Sequence, residues 1–384
     1  MINNKKEKNI CIIQLHSGFL HPILMSLITK LDKDDFNIYV ICLKDKNIIY
    51  RNPAWKNTFI YRIPGYYGKN IFKFVSSSIK QIFYILKIVT KTRYDFLIGV
   101  SIIGLVAASL VGFIFRVKRI YISLELYFSK ELKKIPWKIY KFLEKLCNKL
   151  TEFTVVQDSW RSRLLIDENK ISKSSVIILP NTTIGRAEMK DSSFLHEILR
   201  IDLNKKILLH PGHPYLSNIL DIFLKHESLL PENWIVVFHI GYKTDVDMRK
   251  YKLFNGKKIY FSTKPISYEN LGELYASATI GLSLHYNTDR PGGGKNQTYI
   301  GYSSGKFNLF LKYGKPVITT NQPTFIQIFK NYCCGVAIKN IFQISNAIEN
   351  IDEKMNFYRT EAIRFYNDRL DFDNYYENFK NCLT

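Results

Sequence analysis

Short apolar runs alternate with longer amphipathic stretches along the whole of this 384-residue chain. That alternation predicts an α/β protein built on parallel sheets with crossover helices. Two more observations divide it into two Rossmann-like domains. The length is enough for two cores, and the same grammar starts again after the Pro180-Asn181-Thr182-Thr183 punctuation. With 46% hydrophobic and 23% charged residues, the composition is that of a globular protein. The expected boundaries are 1–190 for the first domain, 191–365 for the second and 366–384 for a terminal helix.

In the first half the runs read as strands cover 10–15, 37–43, 59–63, 96–100, 119–123, 153–156 and 176–179, with helices near 21–31, 71–91, 105–115, 137–150 and 159–168. Residues 184–203 read as a linker with some helix. In the second half strands are expected at 207–210, 235–240, 258–261, 280–284, 316–319 and 336–338. Helices fall near 217–230, 268–276, 306–313, 325–331 and 342–350, and the tail 352–383 reads as amphipathic helix. The charge-free run 96–115 is long enough for a membrane span. Its glycines and serines favour a strand, a turn at 101–104 and a covering helix.

The net charge of +22 is unevenly spread. Residues 1–190 hold 32 Lys and Arg against 14 Asp and Glu, whereas 191–384 hold 23 against 19. A basic first half points to an acidic partner, either an anionic lipid surface or nucleic acid. The lysines lack a nucleic-acid-binding module, so no nucleic acid is expected. Two stretches, 69–93 and 130–149, carry lysines among Ile and Phe, seven of them in the second. Such helices lie on membranes or cover a core. The six scattered cysteines form neither a disulfide framework nor a zinc motif and favour a reducing compartment. No signal peptide is read at residues 1–15.

The stretch 302–321, YSSGKFNLFLKYGKPVITTN, carries the strongest functional signal. Ser303 and Ser304 suit an N-cap, Gly305 allows close approach, and Phe307, Phe310 and Leu311 share one helical face. Gly314 marks a left-handed stop, and Pro316-Val317-Ile318 starts a buried strand. Lys306 in the first turn opposes the helix dipole, so something negative is expected beside it. Exposed amides, two hydroxyls and a lysine at one helix start describe an anion site. A capped helix with a solvated lysine is the alternative.

Ser303-Ser304-Gly305-Lys306 followed by Tyr313-Gly314-Lys315-Pro316-Val317-Ile318 resembles the donor-binding segment of GT-B glycosyltransferases, glycosyltransferase family 4 in particular. The resemblance covers about 202–351 well and the first domain mainly in topology. It implies two Rossmann-like domains facing across a cleft, with the last helix crossing back to the first domain. It also implies a nucleotide-sugar donor at the 303–306 helix start. The sequence departs from the pattern at Leu309, where the family carries a glutamate for the ribose hydroxyls. Asn308 is the candidate substitute.

Other candidates follow in chain order. His16 and Gly18, after the first strand, lie in a turn that in GT-B enzymes faces donor and acceptor; a structural turn histidine is the alternative. Glu125, at the end of the fifth strand, is the candidate acid/base or acceptor-orienting residue; a pair with Arg119 or a loop lysine is its alternative. Asp158 and Arg161 support the fold. In the turn 209–214, Gly212 matches the family and His213 takes its arginine's place. Lys243, Arg290 and Lys306 are the cations that replace the missing lysine. The loop 289–296, rich in glycine, is a phosphate cradle, a lid or a plain connection. By family analogy 261–265 lines the nucleobase pocket. The histidines 210 and 213 and the Asp245-Val246-Asp247 triplet are poor metal ligands, so neither a metal nor a cofactor is expected.

The expected function is transfer of a hexosyl group from a nucleotide sugar to a saccharide, free or lipid-linked, in surface polysaccharide or glycan assembly. The expected location is the cytoplasm, with peripheral attachment to the membrane. The alternatives are a catalytically degenerate scaffold at the membrane and a nucleotide-sugar 2-epimerase.

Overall fold

A computed structural model describes residues 8–15, 21–44, 54–65, 71–212, 219–240, 258–263, 266–267 and 270–383. The chain divides into two compact units. The first is Met1–Pro180, Arg290–Gly292 and Phe372–Thr384; the second is Asn181–Asp289 and Gly293–Asp371.

The first unit holds a seven-stranded sheet: β1 (Asn9–Gln14), β2 (Asn37–Leu43), β3 (Thr58–Ile63), β4 (Phe96–Val100), β5 (Lys118–Ile122), β6 (Phe153–Val156) and β7 (Val176–Ile178). Their spatial order is β3-β2-β1-β4-β5-β6-β7, and every pair is parallel, with Ile12 opposite both Val40 and Ile98. Helices on both faces bury such strands twice, which is why β1 and β4 read as unbroken apolar runs. The order reverses between β1 and β4, the switch point where doubly wound sheets bind ligands.

The corner after β4 differs from the expected turn. A helix, Ser101–Phe115, begins at once, and the whole change of direction falls on Ser101, held at φ 56°. Serine pays backbone strain in that left-handed region. Gly104 permits the tight packing, since a Cβ there would lie 2.3 Å from the Ile13 carbonyl oxygen. Among the described residues no helix is long and apolar enough to cross a membrane.

The helix Ile135–Asn148 follows β5, with Pro136 in its first turn. Its buried residues are Lys141, Glu144 and Asn148. Lys141 Nζ lies 2.8 Å from Glu144 Oε2 and 2.7 Å from Asn169 Oδ1. Tyr121 donates to Glu144 Oε1 at 2.9 Å, so the pair is enclosed and hydrogen-bonded on every side that counts.

The second unit repeats the plan with six parallel strands: β8 (Lys206–Pro211), β9 (Trp234–His239), β10 (Ile259–Ser262), β11 (Ile280–Ser283), β12 (Val317–Thr320) and β13 (Gly335–Ile338). Their order is β10-β9-β8-β11-β12-β13, reversing between β8 and β11. The tail is not one helix. It breaks into Met355–Arg369 and Asp373–Asn381. The break, at the buried Leu370, Asp371 and Phe372, separates the units. Asp373–Asn381 packs within the first unit, where Asp34 accepts from Tyr376 and pairs with Lys380, both at 2.8 Å.

Candidate functional site

In the second unit the switch point gathers the loops after β8 and β11 and the start of the helix Gly305–Lys312. Ser304 caps that helix by accepting from the Phe307 amide. The Gly305 and Lys306 amides have no acceptor among the described residues. At the far end the Lys315 amide bonds Phe310 O at 3.0 Å and the Gly314 amide bonds Leu311 O at 3.1 Å, with Gly314 at φ 63°. This Schellman closure, with Phe307, Phe310 and Leu311 in the core, fixes where the helix points.

Behind the cap stands His285. Its Nδ1 faces Gln297 Oε1 at 3.2 Å, and its Nε2 lies 3.0 Å from Ser304 Oγ and 3.2 Å from Ser283 Oγ. A carboxamide oxygen only accepts, so the neutral ring carries its proton on Nδ1 and Nε2 accepts from a hydroxyl. Burial and the charge of Lys306 hold the ring well below the usual histidine range. His210 on β8 is held down by the same two causes, and its Nδ1 meets Leu282 O at 3.3 Å. The loop backbone is tied as well, with His285 O accepting from Thr320 Oγ1 at 2.8 Å and from Gln322 Nε2 at 3.1 Å.

Lys306 is the exception in this satisfied cluster. Among the described residues its Nζ reaches only Leu284 O, at 3.5 Å, and it makes no ion pair with them. Burial pushes its pKa down to about 8. A cation left without a counter-charge, beside two open amides at a helix N-terminus, is arranged for an anion. Gly212, just past β8, sits at φ 104°, where a side chain would be strained, and a Cβ there would meet nothing within 4 Å. Backbone at the switch point is therefore open to a close ligand.

The other expected donor contacts divide. Ser303 is buried and donates to Ile300 O at 2.7 Å, a structural bond. Asn308 is fully buried; its amide nitrogen donates to Tyr302 O at 2.8 Å and Asn181 O at 3.1 Å, so it braces the helix start. Leu309 is a core residue and offers no polar group to a ribose. Arg290 is exposed and grouped with the first unit. His213, Lys243, the Asp245–Asp247 triplet and 264–265 lie outside the described residues. Phe261 is buried and stacks on Phe238 at 5.8 Å.

In the first unit His16 and Gly18 lie outside the described residues. Glu125 follows β5 with its side chain 45% exposed, and Arg161 is one of its partners, at 3.9 Å. Arg161 is fully buried. It donates to Leu124 O at 2.9 Å and Gln157 Oε1 at 3.2 Å, while Gln157 donates to Ser123 O at 2.8 Å. Arg161 and Gln157 thus pin the backbone that presents Glu125. Asp158 caps the Ser159–Asn169 helix through the Arg161 amide at 2.9 Å, which sets the arginine's place. Ser101, half-buried at the other switch point, joins Glu125 at the C-terminal edge of this sheet.

Sequence reasoning missed His285, Gln297 and Ser283, and it gave Arg161 only a structural place. A histidine two residues beyond a strand was the one available signal for the first; nothing in spacing marked the others.

No protein-family model matches the chain, and no curated protein sequence does. Solved structures do. Sucrose-phosphate synthase from Thermosynechococcus elongatus superposes with a TM-score of 0.72 at 12% identity, over 98% of this chain and 98% of its own. Anabaena HepE in complex with UDP-glucose gives 0.70 at 12% identity, over 98% and 99%. The chain has the GT-B fold. UDP-GlcNAc 2-epimerase from Methanocaldococcus jannaschii is also similar, with a TM-score of 0.56 at 16% identity over 89% and 92%. The GT-B fold thus accounts for both sheets, and the chemistry must be argued from the residues.

Proposed function

We propose that this chain is a glycosyltransferase that moves a hexosyl group from a nucleotide sugar to a hydroxyl of a saccharide. The observation that carries the reading is Lys306, a cation without a counter-ion among the described residues, beside the open Gly305 and Lys306 amides at a sheet's switch point. A nucleoside diphosphate supplies the missing negative charge. The complex of HepE with UDP-glucose, on the same fold, supports that choice of ligand.

The proposed step is a displacement at the anomeric carbon. The acceptor oxygen bonds to that carbon and loses its proton to the Glu125 carboxylate. The bond from the carbon to the diphosphate oxygen breaks, and its electron pair leaves with the nucleoside diphosphate. The Lys306 ammonium and the two amides stabilise the charge that collects on the leaving group, so no metal is required. Arg161 and Gln157 hold Glu125 in place, and Gly212 lets backbone meet the donor. A saccharide acceptor, free or lipid-linked, suits assembly of a surface polysaccharide or glycan.

The epimerase reading rests on the similar fold of the UDP-GlcNAc 2-epimerase. The scaffold reading rests on Leu309, which denies the ribose a carboxylate. One experiment separates the three. Purified protein is incubated with UDP- and GDP-sugars, with and without oligosaccharide acceptors, and the products are resolved. Acceptor-dependent release of nucleoside diphosphate supports the transferase. Inversion at C2 of the sugar without release means the epimerase, and an unchanged donor at every nucleotide means the scaffold.

A further inference from the structure

The helix Ile135–Asn148 is built inside out. It buries Lys141, Glu144 and Asn148, and it turns Ile135, Ile139, Phe142 and Leu146 to solvent, each 47–72% exposed. Those four lie at positions i, i+4, i+7 and i+11, a single helical stripe. The neighbouring helix Ser101–Phe115 carries no charged residue, and it exposes Leu110, Phe113 and Ile114 at its C-terminal end, Phe113 to 77%. The two helices pack together, with Ser109 of one beside Cys147 of the other, so both apolar sets fall on one side of the first unit. Scattered exposed apolar residues need no account, but a stripe of seven on two packed helices marks an interaction surface.

The charges around it name the occupant. Arg116, Lys134, Lys138 and Lys149 are exposed and make no ion pair among the described residues. The helix Ile135–Asn148 has one carboxylate, Glu144, and it is fully buried against Lys141. No acidic side chain of either helix therefore reaches the surface. Beside Phe115 a recess of about 300 Å³ is lined by Lys91, Arg93 and Thr92, adding two cations at the edge. Exposed apolar side chains among uncompensated cations fit the interface of an anionic bilayer, where the apolar groups enter the acyl boundary and the lysines meet phosphate headgroups.

We infer that the face formed by Ser101–Phe115 and Ile135–Asn148 docks the protein on an anionic lipid surface. The inference does not depend on the transferase reading, since neither helix contributes to the second unit's anion site. The test is flotation of the full chain with vesicles of phosphatidylcholine alone and of phosphatidylcholine mixed with phosphatidylglycerol, at low and high salt. The chain is expected to float with the mixed vesicles only, and less so in high salt. The pair Ile139→Ser with Phe142→Ser changes exposed positions and should leave the melting curve in place while lowering the bound fraction at least about tenfold. The triple Lys134→Gln, Lys138→Gln, Lys149→Gln should lower partitioning by about a hundredfold, at about fivefold per lysine. Failure of the wild-type chain to float, or flotation of both variants like the wild type, overturns the inference. So does a wild-type dimer that the apolar pair converts to monomer, because the stripe would then be an interface between copies.

Discussion

Replacing Lys306 by methionine should make the ligand-free protein more stable and its donor binding weaker. The ammonium's pKa falls from 10.5 to about 8 because of burial, which no described carboxylate offsets. At about 1.4 kcal/mol per pH unit that cost is at most on the order of 3 kcal/mol. The side chain still touches solvent, so a gain of about 1–2 kcal/mol is the working expectation. For a unit of this size that raises Tm by roughly 2–4 °C per kcal/mol. Below pH 8 the lysine is charged in both folded and unfolded chains and the cost is fully present. Between pH 8 and 10.5 the unfolded chain binds the extra proton, so the wild type gains stability as pH rises and the gap to the variant closes. Loss of a charged hydrogen bond to the diphosphate should weaken donor affinity by about ten- to a hundredfold. Scanning calorimetry at pH 7 and pH 9.5, with and without UDP and GDP, reads both effects. A variant that melts below the wild type at pH 7, or a gap that widens with pH, would refute the reasoning.

Three further predictions follow. Glu125→Gln should lower the transfer rate by about 10²–10⁴ while nucleotide affinity stays within twofold or so, read by initial rates beside calorimetric titration. Gly104→Ala pushes a methyl to 2.3 Å from the Ile13 carbonyl oxygen and should cost about 1–3 kcal/mol in urea unfolding; an unchanged midpoint would mean the corner after β4 is loose. Lys141→Met leaves Glu144 buried without its cation and should cost about 3–5 kcal/mol, most of it recovered by adding Glu144→Gln.

The fold was legible wherever burial on both faces leaves a continuous apolar run. Ile10 to Ile13 and Phe96 to Val100 are of that kind, bounded by polar residues on either side. The helix Gly305–Lys312 was legible because its cap and its glycine stop are local chemistry. Three features were not. Serine rarely turns a corner in the left-handed region, so Ser101 hid a helix start behind an apparent turn. The tail's break at Leu370, Asp371 and Phe372 lies at residues buried by tertiary packing, which periodicity does not register. In Ile135–Asn148 the period of apolar residues is plain, but a period does not say which side is buried. Only the enclosure of Lys141 and Glu144 by Tyr121 and Asn169 reveals that the polar side faces inward. At the candidate site Lys306 stood out by violating the dipole rule. His285 and Arg161 earn their places from partners far along the chain, which spacing cannot supply.

Titration of the ligand-free protein with UDP and with GDP, followed by heat at pH 7, tests most directly whether the Gly305–Lys312 helix start holds a diphosphate. Saturable binding of one of them, reduced by Lys306→Met and unaffected by Glu125→Gln, is the expected result. Absence of binding to either, or binding of equal strength in the Lys306 variant, would contradict it.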